Sequence, residues 1–427
     1  MKVYSRYIVA AFAVASAALL ASCSEKLENE AGCPILCPDT GGTVQNVSLD
    51  ATTIDTTVAS ISGVGTELGL LIANRGDSLD TRAIIRFDTV PGRFAPRASD
   101  TTTQAVTFVD SAYLAMRVDT SQLKITGAVT IEAYDVDTTL TNDSTVADTL
   151  TAPLLKLFRP DRLIGSHTYT RAQILDTLKY SISNAAVLAK AKTGKRLRIG
   201  LRAVSSSSAQ IRIRSAEAGA ATQLFYRVSA DTAIHPFLIA PFSKTPVGQS
   251  IIAAHLSDYT IIAKSPAPAP PQSLNIGGLP PTRVYMRFDI PSFIVDSSTV
   301  VRAALVLTQI PNRTIDPADS IAISPALVLA AKAVTDPTKA SQILGEIALS
   351  PLSLAVGDSG KKTIELAPAF GFWRGIDGVS TPRAIVLRSV SEGISPLQAR
   401  FFSLEATAAV RPKLLISYIR RTPLGLP

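Results

Sequence analysis

The stretch TRAIIRFD at residues 81–88 decides how this chain folds, because it returns in closely similar form as TRVYMRFD at residues 282–289. Its side chains alternate, so Phe87 points to one face of an extended strand while Arg86 and Asp88 share the other face. An apolar residue between two opposite charges predicts a structural β-strand in which Arg86 and Asp88 pair with each other or with cross-strand partners, and a ligand site is the weaker alternative. The sequence therefore predicts the same strand twice, once in each half of the chain.

Other blocks repeat in the same order around this strand. The matched pairs are residues 110–116 with 301–307, 198–205 with 384–391, 213–217 with 401–405, and 223–228 with 413–419. Self-similarity over such a long period indicates two copies of one structural unit. Runs rich in β-branched residues, broken by Gly, Pro, Asp, Asn and Ser, predict that both copies are all-β.

The repeat also places the domain boundary. A Pro-rich run at residues 265–271 has the composition of a linker, but it precedes the second RFD strand as a turn precedes the first. We therefore interpret it as a loop inside the second domain, after that domain's first strand at residues 257–263. The predicted domains are residues 45–230 and residues 231–422. Helical periodicity is scarce, and the best candidates for a minor helix are residues 170–192 and 338–349.

The second copy carries a set of motifs that resembles a known family. These motifs are RFD at 287–289, an apolar strand at 303–307, Trp373, FSLE at 402–405 and RPKLLISY at 411–418. Together they resemble the DNRLRE-type domains, which are related to carbohydrate-binding β-sandwiches in surface proteins of bacteria and archaea. The first copy fits more loosely and has no Trp. The resemblance covers about residues 45–422 and implies two tandem jelly-roll-like antiparallel β-sandwiches.

Composition and charge exclude several classes of protein. The chain has 427 residues, of which 46% are hydrophobic, so it can bury sizeable cores and is not disordered overall. Three Cys and three His exclude a disulfide scaffold and a Cys/His zinc module. The formal net charge is +8, but the basic residues are scattered, which argues against a nucleic-acid partner. No cofactor or metal is expected.

The N-terminus has the three parts of a secretory signal peptide. Lys2 and Arg6 form a short basic start, residues 7–20 are apolar, and small residues follow. The string LASC at residues 20–23 resembles a bacterial lipobox, in which the Cys thiol is acylated and becomes the first mature residue. This resemblance implies a lipoprotein signal peptide at residues 1–22 and lipidation of Cys23. An ordinary signal peptide with an incidental Cys is the alternative.

The lipobox resemblance also implies a location. Residues 23–44 would form a lipidated flexible tether, and the acyl chains on Cys23 would hold the protein on a lipid bilayer without a spanning helix. Ser24 follows the Cys, where an Asp would retain a lipoprotein in the inner membrane, so we expect the outer membrane of a bacterial cell envelope. Cys33 and Cys37 are close enough to close a small disulfide loop, with redox chemistry or metal binding as weaker alternatives.

No catalytic motif stands out. His167, His235 and His255 are isolated and lack metal-ligand spacing, and no nucleophile elbow, phosphate-binding Gly loop or HExxH motif occurs. The Asp- and Thr-rich run at residues 134–148 favours a solvated loop over a calcium site. RGD at residues 75–77 favours a hairpin loop over an adhesion signal. We therefore expect no enzyme, although a Ser/His/Asp triad need not show in sequence.

Trp373 is the candidate ligand-binding residue, in the aromatic cluster FGFWRG at residues 370–375. An exposed Trp can stack on the face of a sugar ring, but the same cluster can also fill a sandwich core, and we favour the core. The expected function is a lipid-anchored, non-catalytic envelope protein with a structural or adhesive role. The alternatives are a glycan-binding lipoprotein for polysaccharide capture and, more remotely, an envelope hydrolase. Its partner would then be a cell-envelope polysaccharide or an envelope protein.

Overall fold

A computed structural model describes residues 43–50, 52–59, 65, 67–96, 99–137, 154–228, 236–242, 257–328, 349–374 and 383–421. Within these ranges the chain is mostly β, with few and short helices and several antiparallel sheets. The two largest hydrophobic cores of the described residues form between Leu70 and Val228 and between Leu274 and Tyr418. The predicted fold class, an all-β sandwich fold with minor helix, is confirmed.

The first repeat contains fourteen described strands. They are β1 (Gln45–Leu49), β2 (Thr52–Ala59), β3 (Gly69–Asn74), β4 (Asp80–Phe87), β5 (Arg93–Phe94), β6 (Gln104–Ala105), β7 (Ser111–Arg117), β8 (Lys124–Ile125), β9 (Val129–Asp135), β10 (Leu163–Tyr169), β11 (Thr177–Ser181), β12 (Leu197–Val204), β13 (Ala209–Arg214) and β14 (Gln223–Arg227). Helix α1 spans Asn184–Thr193, and short 3-10 helices span Thr120–Gln122, Pro160–Arg162, Arg171–Gln173 and Ala216–Ala218.

The second repeat contains eleven described strands and two short helices. The strands are β15 (Phe237–Ile239), β16 (Asp258–Lys264), β17 (Ser273–Gly277), β18 (Thr282–Phe288), β19 (Ser298–Ile310), β20 (Ser320–Leu327), β21 (Leu352–Ala355), β22 (Gly360–Glu365), β23 (Ala384–Ser389), β24 (Gln398–Phe402) and β25 (Lys413–Arg420). Helix α2 spans Ser292–Asp296 and α3 spans Ala367–Trp373.

The RFD strands lie in equivalent places in the two sandwiches. In the first, β4 pairs with β12, which pairs with β9, which pairs with β10. In the second, β18 pairs with β23, then β20, then β21. The opposite layers match as well, because β11–β7–β14 in the first corresponds to β22–β19–β25 in the second. The internal repeat read from the sequence is therefore a repeat of topology.

Each sandwich is completed by the first two strands of the other repeat. Strands β1 and β2 begin the first repeat, yet β1 pairs with β25 and β2 pairs with β18 of the second. Strands β15 and β16 begin the second repeat, yet β15 pairs with β14 and β16 pairs with β4 of the first. We call this arrangement the strand exchange. It interlocks the two repeats, since neither sandwich has all of its strands without the other.

The strand exchange corrects two expectations about the domain boundary. The strand expected to open the second sandwich, at residues 257–263, is β16 and adds to the edge of β4 in the first sandwich. The Pro-rich run at residues 265–271 is consequently not a loop inside one domain, since it leads from β16 in the first sandwich to β17 in the second. Alternation specifies which face a strand buries but not which of two equivalent edges it joins. Residues 45–230 and 231–422 remain the two repeats, but because they exchange strands we expect neither to fold fully without the other.

The expected helices are shorter than the sequence suggested. Residues 170–192 were expected to be helical, but they include strand β11, and only α1 from Asn184 is an α-helix. Ser183 caps its N-terminus by accepting a hydrogen bond from the Ala186 backbone N–H, and Gly194 ends it in a left-handed conformation. The second candidate, residues 338–349, lies outside the described residues except for Leu349. No described helix is long and apolar enough to cross a membrane.

The RFD alternation places its side chains as expected in the first repeat. Phe87 is fully buried in the first core, and Phe288 is 3% exposed in the second. On the other face of β4, the Arg86 Nε donates a hydrogen bond to the Asp88 carboxylate at 2.5 Å, and both side chains are largely buried. Asp289 is exposed in the second repeat, so the outer faces of the two RFD strands differ.

Candidate functional site

A groove of about 420 Å³ lies on the outer face of the second sandwich. Its floor is the β17–β24 ladder, in which Asn275 faces Arg400. Leu274 and Ile276 point into the core on either side of Asn275, and so do Ala399 and Phe401 on either side of Arg400. Alternation therefore turns Asn275 and Arg400 outward into the groove. A volume of this size is in the usual range for a small-molecule site.

Four proline residues also line the groove. Pro266 and Pro268 come from the run that joins β16 to β17, while Pro280 and Pro396 come from neighbouring loops. We call the apolar surface of their rings the proline wall, which the groove combines with the polar β17–β24 floor. A ligand that fits must therefore offer a polar end to the floor and an apolar body to the wall.

Arg400 is the charged group of the groove. The residue is 8% exposed, and its Nε donates a hydrogen bond to the Gln398 Oε1 at 2.9 Å. Within the described residues, no acidic side chain pairs with its guanidinium and none lines the groove. Burial lowers the pKa of Arg400 below its ordinary value, and no neighbouring carboxylate offsets that effect. A guanidinium remains charged at neutral pH, so the groove holds a buried cation that no described carboxylate neutralises.

The remaining polar groups hold the floor in place or donate hydrogen bonds. The Asn312 Nδ2 donates to the Gln398 backbone carbonyl at 2.9 Å, and the Asn312 Oδ1 accepts from the Thr314 backbone N–H. The Thr282 hydroxyl donates to two carbonyls of β17. The Gln398 Oε1 accepts the hydrogen bond from Arg400. The Nε2 amide group of Gln398 therefore remains as a second hydrogen-bond donor in the groove. The groove is therefore cationic and presents donors to a ligand.

The equivalent arginine of the first repeat is neutralised. Arg212 occupies in β13 the position that Arg400 occupies in β24, because IRIRSAE at 211–217 aligns with ARFFSLE at 399–405. The Asp119 carboxylate accepts two hydrogen bonds from Arg212, one of them from Nε at 2.9 Å. Burial opposes ionisation of Asp119, but the hydrogen bonds from Ser121 and Arg212 hold its pKa below the ordinary value. The structure thus shows a paired and an unpaired version of one site.

The register explains why only one arginine is paired. In the first repeat Val118 bridges Ile213, so the next residue, Asp119, lies opposite Arg212. In the second repeat Gln309 pairs with Phe401, and Ile310 lies opposite Arg400. An isoleucine therefore stands where the first repeat has a carboxylate. Sequence reasoning missed Arg400, and this exchange of Asp for Ile between aligned repeats is the signal that reveals it.

Trp373 lies in the second core. It is 3% exposed, and its ring packs at 5.1 Å from Phe370 and 5.8 Å from Phe288, measured between ring centroids. Helix α3 places Phe370 and Trp373 on the same side, three residues apart, while Phe372 is 53% exposed. Trp373 therefore presents no face to solvent in the described structure, and the core interpretation fits better than the sugar platform.

The RGD tripeptide is held by ion pairs. The Arg75 guanidinium binds both oxygens of Asp316 at 2.6 and 2.7 Å, and the Lys124 amine also contacts Asp316 at 2.8 Å. Because Asp316 follows β19, these contacts join the first sandwich to the second. They lower the pKa of Asp316 to about 2, with the Arg75 hydrogen bond as the main cause. Asp77 pairs with Lys264 at 2.5 Å.

The other candidates are structural or lie outside the described residues. His167 contacts the Ser181 backbone carbonyl at 2.9 Å and packs edge-on against Tyr180. Asp135 and Asp137, at the start of the acidic run, form ion pairs with Lys190 and therefore brace α1. Among the residues that the structure describes, no group of three or more His, Cys, Asp and Glu is placed to hold a metal ion. His235, His255, Cys23, Cys33 and Cys37 lie outside the described residues.

Comparisons with known proteins give no family. No protein-family model matches the chain, and no curated protein matches it. Among solved structures, a chain from the structure of Broad Bean Stain Virus is 9% identical in sequence to this chain. The match covers 91% of this chain and 94% of that chain, with a TM-score of 0.15. Particles derived from Infectious Bursal Virus are 10% identical over 91% and 79%, with a TM-score of 0.12.

A third structural match is the N-terminal CBM22 tandem domain from Paenibacillus barcinonensis Xyn10C. It is 11% identical, with 89% of this chain and 95% of that chain covered and a TM-score of 0.11. Scores this low carry no argument about fold or function. The resemblance to DNRLRE-type domains therefore continues to rest on the sequence motifs alone.

Proposed function

We propose that this protein is a lipid-anchored, non-catalytic protein of the bacterial cell envelope, whose two β-sandwiches have a structural or adhesive role. The lipobox-like string at residues 20–23 supports the anchor, and Cys23 would carry the acyl chains. The partners would be the lipid bilayer and, at the other end, an envelope polysaccharide or an envelope protein.

The strand exchange is the observation that carries the structural role. The tether at residues 23–44 leads directly into β1 and β2, and both strands add to sheets of the second sandwich. A pull on the anchor would therefore act across two antiparallel ladders before it reached the first sandwich. The Arg75–Asp316 ion pair adds a second connection between the repeats. An arrangement that shares load between domains suits a protein held at one end and bound at the other.

The anchor gives the most direct test of this proposal. Replacement of Cys23 by Ala should release the full chain from the membrane fraction, and the wild type should take up labelled palmitate. Cys33→Ala is the matched control and should leave both results unchanged. A Cys23→Ala protein that remains in the membrane fraction, beside a wild type without label, would show that the lipoprotein assignment is wrong.

A glycan-binding role is the second candidate function, and the groove beside Arg400 is the observation that favours it. The groove has the volume for a single sugar ring and combines a polar floor with an apolar wall. Trp373 would not take part, since it is buried in the core. A glycan array probed with the full chain would separate this role from a purely structural one.

A further inference from the structure

We propose that the groove beside Arg400 binds the carboxylate of a small organic acid, with the guanidinium on the carboxylate and the body of the acid against the proline wall. This site goes beyond the structural role proposed above and does not depend on it. It rests on a buried cation that has no counter-charge within the part of the chain that the structure describes, on the donors beside it, and on the comparison with the first repeat.

The charge of Arg400 is the first step. A buried ion without a partner costs folding free energy, and proteins normally pair such groups. The first repeat does so, because Asp119 lies opposite Arg212 and accepts two hydrogen bonds from it. In the second repeat Ile310 stands at that position, and the guanidinium faces an open groove instead. A bound carboxylate would supply the missing counter-charge.

The shape of the donor set selects a carboxylate. A guanidinium presents a planar fork that matches the two oxygens of a carboxylate, and such bidentate pairs are stronger than single charged hydrogen bonds. The Arg400 Nε is already engaged by Gln398, which leaves the two Nη groups for a ligand. The Gln398 Nε2 adds a donor beside them. Inorganic oxyanions share part of this chemistry but would leave the apolar wall of Pro266 and Pro268 unused.

The experiment uses two pairs of probes that differ in charge. Binding of benzoate and D-galacturonate to the full chain in detergent is measured by calorimetry, beside their neutral counterparts benzamide and D-galactose. Inorganic phosphate and sulfate form the third arm. We expect at least one carboxylate to bind at least about tenfold more tightly than its neutral counterpart and than either inorganic ion. Failure of both carboxylates, or equal binding of the neutral or inorganic probes, would overturn the proposal.

Two variants assign the binding to Arg400. Arg400→Gln should weaken the carboxylate at least about tenfold, while Arg302→Gln, which removes an exposed charge elsewhere on the same sandwich, should not. Gln398→Glu places a carboxylate where the Gln398 oxygen already contacts Nε, so it should block binding and raise the melting temperature. This second variant keeps the test valid if Arg400→Gln does not fold. Unchanged binding in either variant would overturn the assignment.

Discussion

The two repeats carry one arginine at equivalent positions, and they treat it in opposite ways. Arg212 of the first sandwich is neutralised by Asp119, whereas Arg400 of the second faces a groove with Ile310 opposite. The cores differ too, because the second is filled at α3 by Phe370 and Trp373 while the first has no Trp. The two repeats therefore share their strand topology but differ in which charged side chains are paired. We look for function at positions such as Arg400, whose aligned counterpart has an ion-pair partner.

Cutting the chain near residue 232 should have the largest effect, because it separates the repeats that share strands. Residues 44–231 would keep the β4 edge without β16, and residues 232–421 would keep β18 without β2. We expect neither fragment alone to unfold with the cooperativity of the intact chain, and we expect the mixed fragments to regain it. Denaturant melts followed by circular dichroism measure this. A fragment as stable alone as the intact chain would contradict the strand exchange.

Removal of Trp373, the one Trp in the chain, should have the next largest effect. Trp373→Ala should lower the free energy of unfolding by about 3–5 kcal/mol, because it leaves a cavity beside Phe288 and Phe370. Phe372→Ala on the same helix is the matched control and should cost less than about 0.5 kcal/mol, since Phe372 is exposed. If both variants melt alike, Trp373 is not a core residue.

The exchanged strand β16 should make stability depend on pH. Burial, together with the nearby Glu217, raises the pKa of Asp258 from its ordinary value of 3.8 to about 7. The folded protein therefore holds this proton more tightly, so the contribution of Asp258 is complete below about pH 4 and is lost as the pH rises through 7. Asp258→Asn should abolish a loss of about 2–4 kcal/mol between pH 4 and 8. The free energy of unfolding is measured against pH for the variant and the wild type. Parallel profiles would contradict the role assigned to Asp258.

The smallest effect should come from the paired arginine of the first repeat. Asp119→Asn keeps an acceptor for Ser121 but removes the charge that Arg212 binds, and it should cost about 1–2 kcal/mol. Arg400→Gln in the second repeat is the counterpart and should cost less, because it gives up the hydrogen bond to Gln398 but no ion pair with a described carboxylate. Urea melts of both variants measure the two losses in free energy of unfolding. Equal losses would contradict the contrast between the two arginines.

Much of this fold can be predicted from sequence, but the partner of a strand cannot. The alternation around Phe87 predicts a strand that turns Phe87 toward a core, and the matched blocks predict two copies of one topology, but neither predicts that the other face of β4 is buried as well. The pairing of β16 with β4 is not encoded by alternation, because both sandwiches offer an equivalent edge. The groove was missed for a related reason. Arg400 is an ordinary outward strand residue in sequence, and only the register shows that Ile310, rather than a carboxylate, lies opposite it.

A disulfide trap tests the strand exchange most directly. Asn46 of β1 faces Ser417 of β25, and the Ser417 hydroxyl contacts the Asn46 side chain at 2.5 Å. If β1 joined its own repeat in the register that β15 uses, Asn46 would face Arg227 of β14 instead, because Arg227 occupies in β14 the position that Ser417 occupies in β25. With Cys23, Cys33 and Cys37 replaced by Ser, the account predicts that Asn46→Cys forms an intramolecular disulfide with Ser417→Cys and not with Arg227→Cys. A disulfide with Arg227→Cys, and none with Ser417→Cys, would contradict it.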